Sequence, residues 1–285
     1  MTAGLGRAEL RSLLAAEGLE PRRSLGQNFV VDPNTVGRIA RLARIGPGDR
    51  VIEIGAGLGS LTLALAATGA DVTAIEIDPR LSAVLRRVVG DEVHVVTGDA
   101  RDLDWDVLVA DAPPAGCVLV ANLPYNVATA LVVGLLEAVP AVTRMLVMVQ
   151  REVGERLAAG AGSRVYGALS VRVAYFAEAR VAGLVSPDVF YPRPRVSSAL
   201  VEITRKPAPS VDPAEASYDE IDLLVRAGFG QRRKMLRRSL AGLVDDVGFA
   251  AAGVAPTARA EDLDVVAWGK LASWRRSVTS TATRS

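Results

Sequence analysis

Short, near-continuous apolar runs alternate with longer amphipathic stretches through the first half of the chain. The runs Arg50 to Ile54, Val72 to Ile77, Val93 to Val96, Val118 to Ala121 and Met145 to Val149 are rich in β-branched and aliphatic residues. That is the pattern of strands buried on both faces. Between them, Pro33 to Ala43, Ser60 to Thr68, Pro79 to Val88 and Thr129 to Glu137 carry helical spacing. Strands alternating with helices predict an α/β fold with a doubly wound, mostly parallel sheet, whose ligands bind at the carboxyl ends of the strands.

After Gln150 the texture changes. Ala168 to Phe176 and Ser198 to Thr204 alternate and predict two more strands around a Pro-rich stretch, Ser186 to Pro194. Arg205 to Ser217 holds three prolines and reads as a linker. Tyr218 to Arg276 reads as helical, with Leu236, Leu240 and Leu243 on one face, and Ser277 to Ser285 as a frayed tail. The expected organisation is therefore a large domain over 1–204, a linker over 205–217, a small all-helical domain over 218–276 and a disordered tail over 277–285.

A length of 285 residues accommodates two such domains. Half of the residues are hydrophobic, so a large core can form. Thirty-three basic residues stand against 32 acidic ones, so a polyanion would have to meet a local basic patch. Cys117 is the single cysteine and His94 the single histidine, which leaves no zinc cluster and no disulfide. Cys117 is expected to be a buried small hydrophobe and His94 an ordinary strand residue. Without an apolar run near Met1, the expectation is a cytoplasmic protein with no membrane and no metal.

The strongest local feature is Val51-Ile-Glu-Ile-Gly-Ala-Gly-Leu-Gly59, a strand running into a glycine turn and a helix. Its G-x-G-x-G spacing departs from the G-x-G-x-x-G of dinucleotide sites, and Glu53 lies just before the turn. A carboxylate there would repel a pyrophosphate and attract an amine-bearing ligand, which favours S-adenosylmethionine over a nicotinamide cofactor. The next strand ends in Glu76-Ile-Asp78, where a carboxylate can accept ribose hydroxyls, and the third in Gly98-Asp99-Ala100, where one can accept an adenine amino group. Taken singly, Glu76 and Asp78 read equally well as helix-capping or solvated residues.

The fourth strand ends in Asn122-Leu-Pro-Tyr125. An exocyclic aromatic amine is a weak nucleophile because its lone pair is delocalised into the ring. Two acceptors, the Asn122 side-chain oxygen and the Leu123 carbonyl, would favour a pyramidal nitrogen. Pro124 would stiffen the turn, and Tyr125 would offer a face for a base.

These segments, with four others, resemble the ribosomal RNA small-subunit adenine dimethyltransferase A family (KsgA type). Leu25-Gly-Gln-Asn-Phe-Val30 is similar to its N-terminal G-Q-N-F signature, and Val185 to Ser198 to its V-x-P-x-x-F-x-P-x-P-K-V-x-S motif, with Arg195 in place of Lys. Gln150 to Val153 followed by Tyr166-Gly167 resembles the stretch after strand five, and Phe229 to Arg238 the F-x-Q-R-R-K helix. The resemblance implies that Asn28 and Val30 contact the cofactor from the N-terminal segment and Gly55, with Gly57 in the same turn, lies against its methionine portion. It further implies that Glu76 binds the ribose, Asp99 beside Ala100 the adenine, and that Asn122 sits between cofactor and target nitrogen. Phe190 would stack on the face of the flipped adenine opposite Tyr125; its alternative is a core phenylalanine.

Arg226, Arg232, Arg233, Lys234, Arg237 and Arg238 fall within thirteen residues with no acid among them. On a helix, Arg233 with Arg237 and Lys234 with Arg238 would be repelling i, i+4 pairs that a polyanion relieves. Arg22 and Arg23, with Arg7 and Arg11, form a second basic set, and Arg195 a further contact. A solvated helix face is the plainer reading of such a run. The implied reaction is dimethylation of N6 on two adjacent adenines in a hairpin near the 3′ end of small-subunit rRNA, on an assembling subunit. The rival readings are a large-subunit rRNA adenine methylase, a nicotinamide-dependent oxidoreductase, and an assembly factor whose main role is binding.

Overall fold

The structure is a computed structural model that describes residues 4–22 and 25–282. It divides into two compact units, one of residues 1–154 and 180–204, the other of residues 155–179 and 205–285.

The first unit is built on a seven-stranded sheet flanked by a two-stranded one. In chain order its elements are α1 (Arg7–Ala16), β1 (Phe29–Val30), α2 (Pro33–Ala43), β2 (Arg50–Ile54), α3 (Ser60–Ala66), β3 (Asp71–Glu76), α4 (Pro79–Val89) and β4 (His94–Thr97). There follow α5 (Trp105–Leu108), β5 (Cys117–Asn122), α6 (Ala128–Ala138), β6 (Val142–Gln150) and α7 (Arg151–Leu157). After α8 (Ala168–Phe176) come β7 (Ala177–Val185), β8 (Phe190–Tyr191) and β9 (Ser198–Arg205). The large sheet has the order β4-β3-β2-β5-β6-β9-β7. β2 to β6 are parallel neighbours, and β9 runs antiparallel to β6 with Leu146 opposite Glu202.

The order reverses between β2 and β5, since β3 and β4 lie to one side and β5 and β6 to the other. That opens a crevice at the carboxyl ends of the strands. The sheet core is aliphatic: Val51, Val72, Val118, Val120 and Leu146 pack against Val36, Ile39, Leu65 and Leu85 of the covering helices. Asp32 and Asp78 cap α2 and α4 through the Thr35 and Arg80 N–H groups, each cap stabilising its helix by about 1 kcal/mol.

Several expectations need correction. Ala168 to Phe176 is helix α8, not a strand. Its Ser170, Val171, Val173 and Tyr175 are all buried, so this helix is apolar nearly all round and offers no 3.6-residue period to read. The strand lies one step later, at β7. The 205–217 segment is not a free linker: Val211 and Ala216 are buried in the second core, and the Ser210 N–H and hydroxyl donate to Tyr175 and Ala174 carbonyls. The helical unit accordingly includes residues 155–179. Its other elements are α9 (Tyr218–Gly230), α10 (Leu236–Ser239), α11 (Asp246–Ala252) and α12 (Val265–Ala282), packed around Trp268, Phe249 and Tyr166. Helix α12 takes in most of the expected tail.

The N-terminal segment also carries more structure than its sequence suggests. Leu10 and Leu14 of α1 and Phe29 of β1 pack against Leu58, Leu81 and Val84, over the glycine turn and α4. β1 pairs antiparallel with β8, Phe29 opposite Tyr191 and Val30 opposite Phe190.

Candidate active site

The glycine turn after β2 leaves Gly55, Gly57 and Gly59 at φ of 76°, 60° and 91°, conformations that favour glycine. At Gly57 a side chain is also excluded by space, because a Cβ would stand 2.8 Å from the Phe29 ring. The turn is held open by Glu76, whose Oε2 accepts from the Gly57 N–H at 2.8 Å and Oε1 from the Asp78 N–H at 2.9 Å. Burial raises the Glu76 carboxyl above its ordinary range, against these main-chain donors.

Two cavities open here and share Leu25, Gly55, Ile77 and Pro124 in their linings. The first is lined by Asn28, Val30, Glu53, Gly55, Gly57, Glu76 and Asn122, the second by Asp99 and Ala100. Every residue expected to hold the cofactor therefore lines the bay that these two adjoining cavities form at the carboxyl ends of the strands.

Glu53 is 1% exposed, and its Oε2 has no hydrogen-bond partner among the described residues. Burial pushes its carboxyl up to about 8, with the Thr62 hydroxyl opposing the rise and the Glu76 charge adding to it. Gln27 in the same cavity also has an unpartnered buried atom, Nε2, while its Oε1 accepts from the Arg22 N–H at 2.7 Å. An orphaned carboxyl oxygen and an orphaned amide donor on one wall fit the ammonium and carboxylate of an amino-acid moiety. The place of Gln27 in this wall was not read from the sequence; its position beside Asn28 was the only signal.

Asp99 is engaged by Arg101: Nε lies 3.0 Å from Oδ1, Nη2 2.6 Å from Oδ2, and the Arg101 main-chain nitrogen 3.0 Å from Oδ1. These hydrogen bonds hold the Asp99 carboxyl below its ordinary range. Asp78 serves as the α4 cap, the plainer of its two readings. Burial works against its charge, but Arg80 at 3.2 Å and Arg22 at 3.6 Å keep it below the usual carboxylate range.

Asn122 at the end of β5 donates its Nδ2 to the Asn28 carbonyl at 2.8 Å, which leaves Oδ1 as the free acceptor of the side chain. The Leu123 N–H is tied to the Met148 carbonyl at 3.0 Å. Pro124 packs against Gly26, where a Cβ would stand 2.9 Å away, so the N-terminal segment and the tetrapeptide are in close contact. The Tyr125 hydroxyl lies 3.0 Å from Ser198 Oγ, which fixes the ring at the carboxyl end of the sheet; burial raises its pKa, and Ser198 opposes this.

The structure does not bring Phe190 into this group. Its ring is 1% exposed and belongs to the core around Val30, Val36 and Val185. Pairing of β8 with β1 turns the ring inward, so Phe190 is the core residue of its alternative reading rather than a stacking face.

The basic run is also rearranged. Helix α9 ends at Gly230 and the chain turns before α10 at Leu236, so the expected i, i+4 pairs within one helix do not form. Arg232 pairs with Glu261 at 2.7 Å and Arg226 with Asp222 at 2.6 Å, which removes two of the six charges from the patch. Arg233, Lys234, Arg237 and Arg238 remain exposed, as does Arg195. Arg22 is drawn toward Asp78, and Arg23 lies outside the described residues. No helix among the described residues is long and apolar enough to cross a membrane, and no group of three His, Cys, Asp or Glu among them is placed to hold a metal.

The reversal of strand order, the glycine turn with its acidic neighbours and the Asn-Leu-Pro-Tyr corner together define a Rossmann-like methyltransferase. The family described as Ribosomal RNA adenine dimethylase matches residues 18–275, and the chain belongs to it. It is 45% identical to Ribosomal RNA small subunit methyltransferase A of Thermobifida fusca, over 94% of this chain and 95% of that one. It is 46% identical to the protein of the same name from Nocardia farcinica, over 94% of each. Among solved structures, the 23S rRNA methyltransferase ErmE superposes with a TM-score of 0.67 at 26% identity, over 87% of this chain and 99% of that one. A dimethyladenosine transferase from Plasmodium falciparum gives 0.69 at 24% identity, over 84% and 94%, a likeness of fold.

Proposed function

We propose that this protein dimethylates N6 of two adjacent adenines in a hairpin near the 3′ end of small-subunit rRNA, using S-adenosylmethionine, on an assembling small subunit in the cytoplasm. The observation that carries the reading is the Asn122 amide, whose nitrogen is held by the Asn28 carbonyl so that its oxygen is left for the target amine.

The bound cofactor would supply an electrophilic methyl group. Glu53 and Gln27 fit its amino-acid end, Glu76 its ribose and Asp99 its adenine amino group, with Asn28, Val30, Gly55, Gly57 and Ala100 completing the wall. Asn122 Oδ1 and the Leu123 carbonyl would accept from the exocyclic amine, drawing it out of conjugation so that its lone pair can attack. Catalysis then rests on positioning and exclusion of water. A base lifted out of an RNA stack loses stacking energy, and the Tyr125 ring is the aromatic face available to restore part of it. Arg195, Arg233, Lys234, Arg237 and Arg238 supply positive charge for the RNA backbone.

The test is incubation with labelled S-adenosylmethionine and undermethylated small subunits, with the modified nucleotides then mapped. Label on two neighbouring adenines of small-subunit rRNA supports the reading; label in large-subunit RNA, as the name of ErmE describes for that protein, overturns it.

A further inference from the structure

A second basic surface lies in the first unit, away from the bay. Helix α2 presents Arg38, Arg41 and, just past its end, Arg44, at successive i, i+3 positions and with no acid in the helix. Across from them, Arg144 at the start of β6 donates to the Ala43 and Arg44 carbonyls, and Arg38 donates to the Leu184 carbonyl of β7 at 3.1 Å. Arg180 of β7 and Arg44 both reach one carboxylate, Glu202 of β9. Two of these five guanidiniums therefore share one carboxylate, and the other three have no ion pair among the described residues. Arg44 and Arg180 keep side-chain exposures of 65% and 60%, and Arg41 is exposed with no side-chain hydrogen bond among the described residues.

The cluster is too far from the tetrapeptide to touch the target base. Asn122 is in register with Met148, and Arg144 lies four residues back along β6, about 13 Å at 3.3 Å per residue. β7 is three strands sideways from β5, about 14 Å at 4.8 Å per strand. Arginine in such density, with main-chain carbonyls fixing two of the five, is suited to bidentate contacts with phosphate oxygens.

We infer that the α2–β7 arginine surface holds a second segment of RNA phosphate backbone, beyond the hairpin that presents the adenine. This rests on the rRNA reading above. It makes recognition of a folded RNA particle, rather than of a short stem, a property of the catalytic unit itself.

The experiment measures binding of the full chain to undermethylated small subunits, to protein-free small-subunit rRNA and to a short hairpin oligonucleotide, each over a range of salt. The variants are Arg41→Glu with Arg180→Gln, the milder Arg41→Gln with Arg180→Gln, and Arg237→Glu with Arg238→Glu in the helical unit. S-adenosylmethionine affinity serves as the control for folding. For both α2–β7 variants, affinity for particle and protein-free rRNA should fall, by about tenfold for the Glu form at low salt, with a salt slope shallower by about two. Hairpin affinity should be unchanged. Unaltered particle affinity and slope would overturn the inference, and so would a loss confined to protein-containing particles, which would point to an acidic protein partner. If the Arg237 and Arg238 variant also leaves all RNA binding intact, the rRNA reading itself fails; if that variant alone weakens binding, only the second surface fails.

Discussion

The side-chain amide of Asn122 donates to the main-chain carbonyl of Asn28 across 2.8 Å, joining two residues 94 positions apart. The contact orients the Asn122 oxygen away from the Asn28 carbonyl, and it ties the N-terminal segment to the corner at the end of β5. Asn122→Ala should lower the rate of methyl transfer by about 10² to 10³, the scale of losing one preorganised polar group, while S-adenosylmethionine affinity falls far less. Asn122→Asp keeps an oxygen but sets a carboxylate against the Asn28 carbonyl, so it should not restore the rate. Single-turnover kinetics with separate cofactor titration checks both.

Glu53 gives the cofactor site a pH dependence. Its folded carboxyl titrates near 8 against an ordinary 4.5, so the folded chain holds this proton more firmly than the unfolded chain does. Its contribution to the stability of the ligand-free protein is fully present below about pH 4.5 and is lost as pH rises through about 8. An ammonium-bearing cofactor prefers the ionised form, so S-adenosylmethionine affinity should increase across the same window. Comparing wild type with Glu53→Gln cancels other titrations: the Gln variant should bind weakly at all pH values and lack both trends. Calorimetric titrations at pH 6, 7 and 8 decide this.

Phe190 separates core from active site. If the ring were a stacking face, Phe190→Leu would depress kcat. Buried among Val30, Val36 and Val185, it should instead lower stability by about 1 to 1.5 kcal/mol, with kcat per folded molecule within about twofold of wild type. Thermal melts and active-site-normalised rates distinguish the outcomes.

Gly57→Ala tests the turn. A methyl group there meets the Phe29 ring at 2.8 Å, in a backbone conformation that already disfavours alanine. A loss of about 1 to 3 kcal/mol in stability is expected, together with weaker cofactor binding, because the Gly57 N–H that holds Glu76 would move. Denaturant melts with and without S-adenosylmethionine should show a reduced ligand-induced shift.

Arg233→Glu with Arg237→Glu should weaken binding to small subunits and make its salt dependence shallower, with cofactor affinity unchanged. Arg232→Ala should do much less, since that guanidinium is already neutralised by Glu261 at 2.7 Å. Filter binding at several salt concentrations checks the ranking.

The parallel strands were legible because a strand buried on both faces must be continuously apolar, as Val51 to Ile54 and Val118 to Ala121 are. The glycine turn, Glu53, Glu76, Asp99 and the Asn-Leu-Pro-Tyr corner were legible because each sits where a strand ends, and α/β sheets bind ligands there. Local rules failed where burial was not periodic. Val171, Val173 and Tyr175 alternate like a strand but lie in a helix that packs on most of its sides.

Contacts distant in sequence were settled by packing alone. That the Asn28 carbonyl holds Asn122, and that Phe190 turns inward through pairing of two-residue strands β1 and β8, depend on which surfaces meet. Composition and periodicity fix which residues must be buried or turn; they do not fix which polar atom is left facing which. The residues that line the bay were therefore written in the chain, and the orientation of their acceptors was decided only when the N-terminal segment closed against the end of β5.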